Sequence, residues 1–161
     1  MGLDIYLSAV TYRFEYQSDE HQEAFSKIIA AVGLDPNSRV GCMSYVTVKV
    51  NLAHMKNAYS IWYWFTVNAQ DGEARRVETR VYAESLQQLL ETCQRLLVRR
   101  DRKEAEAALP LPPGLFEDIE DEDIYWRDSF WWHVESAVLQ LSEILDNPQF
   151  ANNWEFEYVY S

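Results

Sequence analysis

The sequence predicts a single α+β domain over residues 1–161, in which a small antiparallel or mixed sheet of about four strands carries four helices. Three observations lead to this prediction. Alternating apolar residues mark strands near both ends of the chain, at Gly2–Val10 and Trp154–Tyr160. A helical apolar period runs through Asp123–Asp146. A chain of 161 residues fits one domain whose core is large enough to fold without disulfides or metal.

The predicted helix at Asp123–Asp146 supplies the largest part of the expected core. Its apolar residues recur three or four positions apart, so they line one side of the helix. They are Phe130, Trp131, Val134, Ala137, Val138, Leu141, Ile144 and Leu145. Tyr125, Trp132 and Leu139 are seven apart and fall on the opposite side. The favoured interpretation is that another element of the chain covers them, and the alternative is an exposed patch that binds a partner or a second copy of the chain.

The remaining elements follow from local signals along the chain. They are a helix capped at Ser18 and ending at Gly33, a strand at Met43–Leu52, a short strand at Arg75–Tyr82 and a helix from Ser85 to about Ala108. Residues 53–69 have the β-branched and aromatic content of a strand but the apolar spacing of a helix, and we interpret them as a helix. An acidic loop at Glu117–Asp123 then leads into the last helix.

The composition excludes several classes of function. A net charge of −12 argues against binding a nucleic-acid backbone and favours basic partners. No apolar run is long enough to span a membrane, and the first residues do not resemble a secretory signal. Cys42 and Cys93 lack metal-ligand spacing, and Cys93 shares an apolar helix face with several leucines. We therefore expect a protein of the reducing cytoplasm.

The charges are unevenly distributed along the chain. From Arg75 to Lys103 there are eight basic and four acidic residues, whereas after Lys103 there are fourteen acidic residues and one basic residue, Arg127. Either the acidic segment lies over the arginines within the fold, or the protein presents two faces of opposite sign.

Two charged groups are candidates for binding. Glu117–Asp123 contains six carboxylates but lacks the spacing and the glycine of a calcium loop, so we expect solvated charges ahead of a helix rather than a metal site. Arg95, Arg99 and Arg102 recur at helical spacing and are candidates for holding a nucleotide or a phosphate. The favoured alternative for these arginines is a solvated helix face paired to Glu91 or Glu106.

No pattern of catalytic residues is visible in the sequence. It contains no phosphate-binding loop, nucleophile elbow or zinc signature, and we expect no cofactor. His133 lies beside the core stripe of its helix, where a structural role is the more common one. Asp4 interrupts an apolar strand, so it requires a partner such as Lys49 or Lys56 if it is buried, or else it faces water or backbone amides at an edge.

Several short motifs, taken in order, resemble a family of small phage and prophage proteins. The chain begins MGLD before an apolar strand, has a middle helix ending in Trp64-Phe65, an Asp71-Gly72 turn and a leucine-rich helix, and then a Tyr125-Trp126-led helix after an acidic stretch. It departs from the family at Trp62, where a histidine is common, and at Lys56 and Tyr59, where an arginine/asparagine pattern is altered. The family has no settled activity, so the resemblance implies an origin in the bacterial cytoplasm of a phage host rather than a reaction.

Two classes of function are compatible with these features. The first is a non-enzymatic protein that binds and inhibits a host protein with a basic surface, by nucleic-acid mimicry or as a counter-defence factor. Its expected partner-binding residues are Asp118, Asp121, Glu122, Tyr125, Trp132 and Leu139. The second is a small-ligand protein that binds or cleaves a nucleotide through aromatic residues and the Arg75–Lys103 basic group.

Overall fold

The predicted α+β class is confirmed. The structure is a computed structural model that describes residues 2–14, 18–34, 45–116, 118–150 and 154–161. Its strands are β1 (Asp4–Phe14), β2 (Tyr45–Lys56), β3 (Thr79–Val81) and β4 (Glu155–Tyr160). Its α-helices are α1 (Asp19–Ala31), α2 (Tyr59–Ala69), α3 (Ala83–Arg99), α4 (Arg102–Ala108), α5 (Ile119–Ile124) and α6 (Phe130–Leu145). A π-helical turn, Tyr125–Ser129, joins α5 to α6, and a 3-10 turn spans Pro148–Phe150.

The four strands form one antiparallel sheet in the order β2-β1-β4-β3. Asp4 and Ser161 exchange two backbone hydrogen bonds, of 3.1 and 3.0 Å, so the start of β1 lies beside the end of the chain. Thr79 of β3 lies opposite Tyr158 of β4. Alternate residues of the two central strands are buried in one core, as the period of two predicts. They are Ile5, Leu7 and Ala9 in β1 and Phe156, Tyr158 and Tyr160 in β4.

The contacts divide the chain into two compact units, so the expectation of one domain stays a prediction. One unit contains Met1–Ala9 and Asn51–Ser161, and the other contains Val10–Val50. Within Val10–Val50, Phe25 and Ile29 of α1 are buried, and the Ser18 hydroxyl accepts from the His21 backbone N–H at 3.3 Å. The predicted helix cap is therefore confirmed. Cys42 and the first residues of the predicted strand, Met43 and Ser44, lie outside the described residues.

Helices α3 and α6 supply much of the core of the larger unit. Leu86, Leu89, Leu90, Cys93 and Leu96 of α3 and Phe130, Val134, Ala137, Leu141 and Ile144 of α6 are buried. The other predicted core residues of α6 are partly buried against this cluster, namely Trp131, Val138 and Leu145. The prediction that Cys93 is a core residue is confirmed, and burial raises the pKa of its thiol to about 12. This thiol is protonated at neutral pH and chemically inert.

The helix predicted from Ser85 to Ala108 is two helices. Arg100 adopts a left-handed backbone conformation (φ 48°, ψ 38°), which ends α3. Asp101 then caps α4, since its carboxylate accepts from the Glu104 backbone N–H at 2.8 Å. A single long helix was the wrong prediction, because the capping side chain offers the backbone an alternative to continuing the helix.

The ambiguous segment 53–69 contains both of the structures that its sequence suggested. His54–Lys56 belong to β2, and α2 begins at Tyr59, so the helix prediction was wrong for the first residues and right for the rest. Asn57 makes the turn between them with a positive φ of 56°. Its side-chain oxygen accepts from the Leu3 backbone N–H at 3.0 Å, which ties the turn to the start of the chain.

The acidic segment is helical, so the prediction of a loop at Glu117–Asp123 was wrong for its described residues. Asp118 caps α5 by accepting from the Glu120 backbone N–H at 2.9 Å. Glu120, Asp121 and Glu122 occupy the first turn of the helix, where the helix dipole favours negative charge. A dense run of acids therefore stabilises the beginning of a helix here instead of preventing one.

Candidate functional site

The acidic helix borders a groove of about 600 Å³ within the larger unit. We call it the α5–α6 groove. Its lining comes from the end of β2, the start of α2, the residue before the acidic segment, and the continuous run of α5, π turn and α6. The lining residues are Lys56, Asn57, Tyr59, Phe116, Asp121, Ile124, Tyr125, Asp128, Ser129, Trp132 and His133. Distant parts of the sequence thus place aromatic, acidic, basic and imidazole groups around one concave surface.

The π turn determines which side chains face this groove. Its closing hydrogen bond runs from the Phe130 backbone N–H to the Tyr125 carbonyl, five residues apart. The extra residue rotates the preceding helix by about 100° relative to a continuous α-helix. Tyr125 is only 6% exposed and contacts the rings of Tyr59 and Phe116, so the favoured interpretation that another element covers it is confirmed. Trp132 and Leu139 follow the turn and are 60% and 73% exposed, so the same interpretation was wrong for them.

Aromatic rings form the floor of the groove. The centroid of the Tyr125 ring lies 5.8 Å from that of Tyr59, 5.7 Å from that of Phe116 and 5.8 Å from that of His133. These separations fit tilted and edge-on aromatic contacts. Burial raises the pKa of Tyr125, so its phenol is neutral at physiological pH. Trp132 stands at the rim, with its ring edge-on to His133 at 5.2 Å.

His133 is a buried, neutral imidazole in the wall of the groove. It is 6% exposed, and its Nδ1 has no hydrogen-bond partner in the structure. Burial lowers its pKa to about 4, and a hydrogen bond with the Lys56 backbone acts in the opposite direction. The histidine is therefore uncharged at pH 7, as desolvation of a cation requires. Its predicted position beside the core stripe is confirmed, and its non-catalytic role stays a prediction.

Charged groups at the groove are mainly acidic. Asp128 accepts two hydrogen bonds from Arg127, at 2.7 and 2.8 Å, and this contact lowers the pKa of Asp128. Asp121 is exposed, and no described side chain forms an ion pair with it. Lys56 adds a positive charge from the end of β2. One carboxylate is thus compensated locally, and the other remains available to a ligand.

The structure brings together three of the six predicted partner-binding residues. Asp121, Tyr125 and Trp132 line the α5–α6 groove. Asp118 is committed to its capping bond, and Glu122 accepts from the Trp126 indole N–H at 3.3 Å beside a smaller groove of about 330 Å³. Leu139 lies two turns beyond Trp132 on α6, outside the groove lining.

The other eight residues of the groove lining were not predicted as site residues, among them Tyr59, Phe116 and Asp128. Phe116 and Asp128 carried no signal of their own, and Tyr59 was noted only as a departure from the family pattern. The rings of Tyr59 and Phe116 meet at 6.2 Å although 57 positions separate them in the chain. Only a tertiary contact identifies such a pair.

The alternative basic site is neutralised within the fold. Arg95 and Arg99 both pair with Glu104, at 3.4 and 3.3 Å. Arg102 pairs with Glu106 and with Asp123, each at 2.6 Å, and its guanidinium lies 5.7 Å from the centre of the Trp126 ring. The contact between Arg102 and Asp123 agrees with the alternative in which the acidic segment lies against the arginines within the fold. None of these three arginines belongs to the groove lining.

Asp4 has a different partner from the lysines proposed for it. Its Oδ1 lies 2.6 Å from Nε2 of His54 on the neighbouring strand. The Tyr6 ring stacks on the same imidazole, with 4.7 Å between centroids and 3° between planes. A lysine partner was expected only for a buried Asp4, and its side chain is 28% exposed. Adjacency in the sheet brings His54 to it instead, and this adjacency cannot be seen in the sequence spacing.

Comparisons with known proteins give no match: no protein-family model fits the chain, and no curated protein or solved structure is significantly similar to it. Within the described ranges, no helix is both long and apolar enough to cross a membrane. The same residues contain no cluster of three or more histidine, cysteine or acidic side chains arranged to hold a metal ion.

Proposed function

We propose that this chain is a non-enzymatic protein of phage or prophage type that binds a basic surface of a host protein in the bacterial cytoplasm and inhibits it. The observation that carries this proposal is Trp132, which is 60% exposed in a groove that it shares with Asp121 of the acidic helix. Large aromatic residues at such positions supply much of the energy of protein interfaces. The acids beside it favour encounter with a basic surface.

The surrounding helix strengthens this proposal. Ile119, Ile124 and Trp132 are exposed apolar side chains on or next to the acidic segment, and Ile124 shares the groove with Trp132. Exposed apolar groups interspersed with like charges resemble an interface centre with a charged periphery. An acidic surface of this kind competes for sites that otherwise hold nucleic acid.

The first experiment identifies the partner and tests the groove together. Tagged wild-type protein, Trp132→Ala and Val98→Ala are used in parallel to capture proteins from the bacterial host. We expect a basic protein that the wild type and Val98→Ala retain and Trp132→Ala loses. Val98 is the control, because it is an exposed apolar residue of α3 outside the groove. Equal capture by all three proteins would remove the groove from the interface.

Inhibition is tested with the purified partner. Adding the wild-type protein is expected to reduce the partner's activity at stoichiometric ratios, and nucleic acid is expected to compete if the partner normally binds it. A partner that is captured but retains full activity when saturated would contradict the inhibitory part of the proposal.

A second candidate function is binding or cleavage of a nucleotide. The aromatic lining of the groove favours it, since aromatic side chains stack on bases. The internal pairing of Arg95, Arg99 and Arg102 weighs against the phosphate-binding role suggested for them. Thermal stabilisation of the protein by a nucleotide, lost in Trp132→Ala, would favour this second function over the first.

A further inference from the structure

We propose that the α5–α6 groove receives an arginine side chain of the basic partner. This inference rests on the proposed function and specifies the chemical group that the groove recognises. Its basis is the pairing of an aromatic surface with an uncompensated carboxylate and a buried histidine nitrogen that has no partner.

The aromatic residues fit a planar cation. Trp132 at the rim is exposed, and Tyr59, Phe116 and Tyr125 continue the aromatic surface into the groove. A guanidinium stacks flat on such rings and buries its aliphatic stem between them. The same chain shows this preference elsewhere, where the guanidinium of Arg102 lies 5.7 Å from the centre of the Trp126 ring.

The polar groups of the groove favour a hydrogen-bond donor. Asp121 is an exposed hydrogen-bond acceptor of the groove. Asp128, which also lines the groove, already binds a guanidinium, because its carboxylate accepts two hydrogen bonds from Arg127. His133 is more than nine-tenths buried, lines the groove, and has an unpartnered Nδ1. Because its imidazole is neutral, it does not repel a cation as a protonated histidine would.

Lys56 allows the charge of the ligand to be tested, because removing its positive charge should change the affinity for a cation and for an anion in opposite directions. It is the lysine of the groove lining, which also includes Asp121 and Asp128. Its charge opposes a cationic ligand and attracts an anionic one. Removing this charge should therefore strengthen the binding of an arginine and weaken the binding of a phosphate.

The experiment uses the full chain labelled with 15N and two blocked tripeptides, acetyl-Gly-Arg-Gly-amide and its citrulline counterpart. Citrulline keeps the shape of arginine but carries no charge. The observable is the indole N–H resonance of Trp132, assigned by its disappearance in Trp132→Phe. We expect the arginine peptide to shift this resonance saturably and the citrulline peptide to leave it unchanged at the same concentrations.

Three variants sharpen the result. Asp121→Asn should lower the affinity for the arginine peptide, and Lys56→Gln should raise it. Each change should be about two- to five-fold, which corresponds to the interaction energies measured for exposed charge pairs. Val98→Ala, an exposed position of α3 outside the groove, should leave the affinity unchanged. All three positions are at the surface, so we expect each variant to fold. The remaining resonances of the same spectrum verify this, because they should match those of the wild type.

Other outcomes overturn the proposal. They are an absence of saturable shift with the arginine peptide, an equal shift with the citrulline peptide, or weaker binding in Lys56→Gln. Failure here is distinguishable from failure of the proposed function: a host protein lost only by Trp132→Ala with no response to the peptide would refute the arginine pocket alone. A peptide response without any such host protein would refute the proposed function alone.

Discussion

The α5–α6 groove and the arginine-bearing ridge of α3 and α4 are both rich in charge, but they differ in how the charges are satisfied. On the ridge, Arg95, Arg99 and Arg102 each have a carboxylate within 3.4 Å. In the groove, Asp121 has no described ionic partner and the Nδ1 of His133 has no hydrogen bond. The difference teaches that the density of charge in a sequence does not identify a binding site. Groups left without partners beside a concave surface are the better indicator.

The largest expected effect concerns the helix that supports one wall of the groove. Leu141 of α6 is fully buried. Leu141→Ala should lower the free energy of unfolding by about 2–5 kcal/mol, because a cavity remains where the side chain was. Urea titration measures this change, and Leu139→Ala, at an exposed position of the same helix, should change it by less than about 0.5 kcal/mol. Similar values for the two variants would mean that the buried face of α6 is misassigned.

The next effect is a dependence of the free energy of unfolding on pH, which we expect from His133 of the groove. The folded-state pKa of His133 is lowered to about 4, below its unfolded value of 6.5. The unfolded chain therefore binds a proton first as pH falls, and stability present above pH 6.5 is lost between pH 6.5 and 4. The loss is up to about 3 kcal/mol at 1.36 kcal/mol per pKa unit.

His133→Gln provides the control for this prediction, because it removes the titrating group and keeps hydrogen-bonding capacity. Urea titrations at several pH values should show a shallower loss of stability in the variant over that range. We hypothesise that His133 is not a catalyst, so any loss of partner inhibition in the variant should be matched by a loss of partner binding. A loss of inhibition with unchanged partner binding and an unchanged melting temperature would refute that hypothesis.

A smaller effect concerns the kinetics of partner binding. Trp132→Ala should accelerate dissociation about ten-fold or more, whereas neutralising Glu120 and Asp121 to Gln and Asn should mainly slow association and flatten its salt dependence. Surface plasmon resonance at several salt concentrations separates the two rates. Arg99→Gln on the ridge is the matched control. If it changes binding as much as Trp132→Ala does, the distinction between groove and ridge is wrong.

The smallest effect is expected on the ridge. Arg102 is partly exposed and pairs with Glu106 and Asp123, so Arg102→Gln should cost no more than about 1 kcal/mol of unfolding free energy. The cost should decrease at high salt, because salt screens exposed pairs. Denaturant titrations at low and high salt measure both quantities. A salt-independent loss of several kcal/mol would show that the ridge is a buried structural network.

Local patterns in the sequence predict much of the fold. The apolar period of α6, the alternation of β4 and the cap at Ser18 each depend on residues that are close together in the chain, and the structure contains all three. The break at Arg100 and the π turn at Tyr125–Ser129 were not predictable in this way. Each is a small departure from helical geometry whose energy depends on what surrounds it.

The candidate site was less predictable than the fold because its members come from distant segments. The sequence pointed to Asp121, Tyr125 and Trp132 through charge and spacing, but it could not show that Tyr125 is covered while Trp132 is exposed. The contacts of Tyr59 and Phe116 with that ring exist only after β2, α2 and α5 have been brought together. The pairing of Asp4 with His54 likewise depends on which strands are neighbours.

The π turn also links the rotation of α5 to the number of residues that precede α6. A π turn holds one residue more than an α-helical turn, so the rotation from Tyr125 to Trp132 is about 100° less than seven α-helical residues would give. Deleting one residue between them would let the join close as an ordinary α-helix of six residues, which turns through the same total angle of about 600°. Tyr125 would therefore keep its ring contacts with Tyr59 and Phe116. Deleting a second residue would rotate α5 by about 100° and separate these rings, so the aromatic floor of the groove tolerates the loss of one residue at this join and not of two.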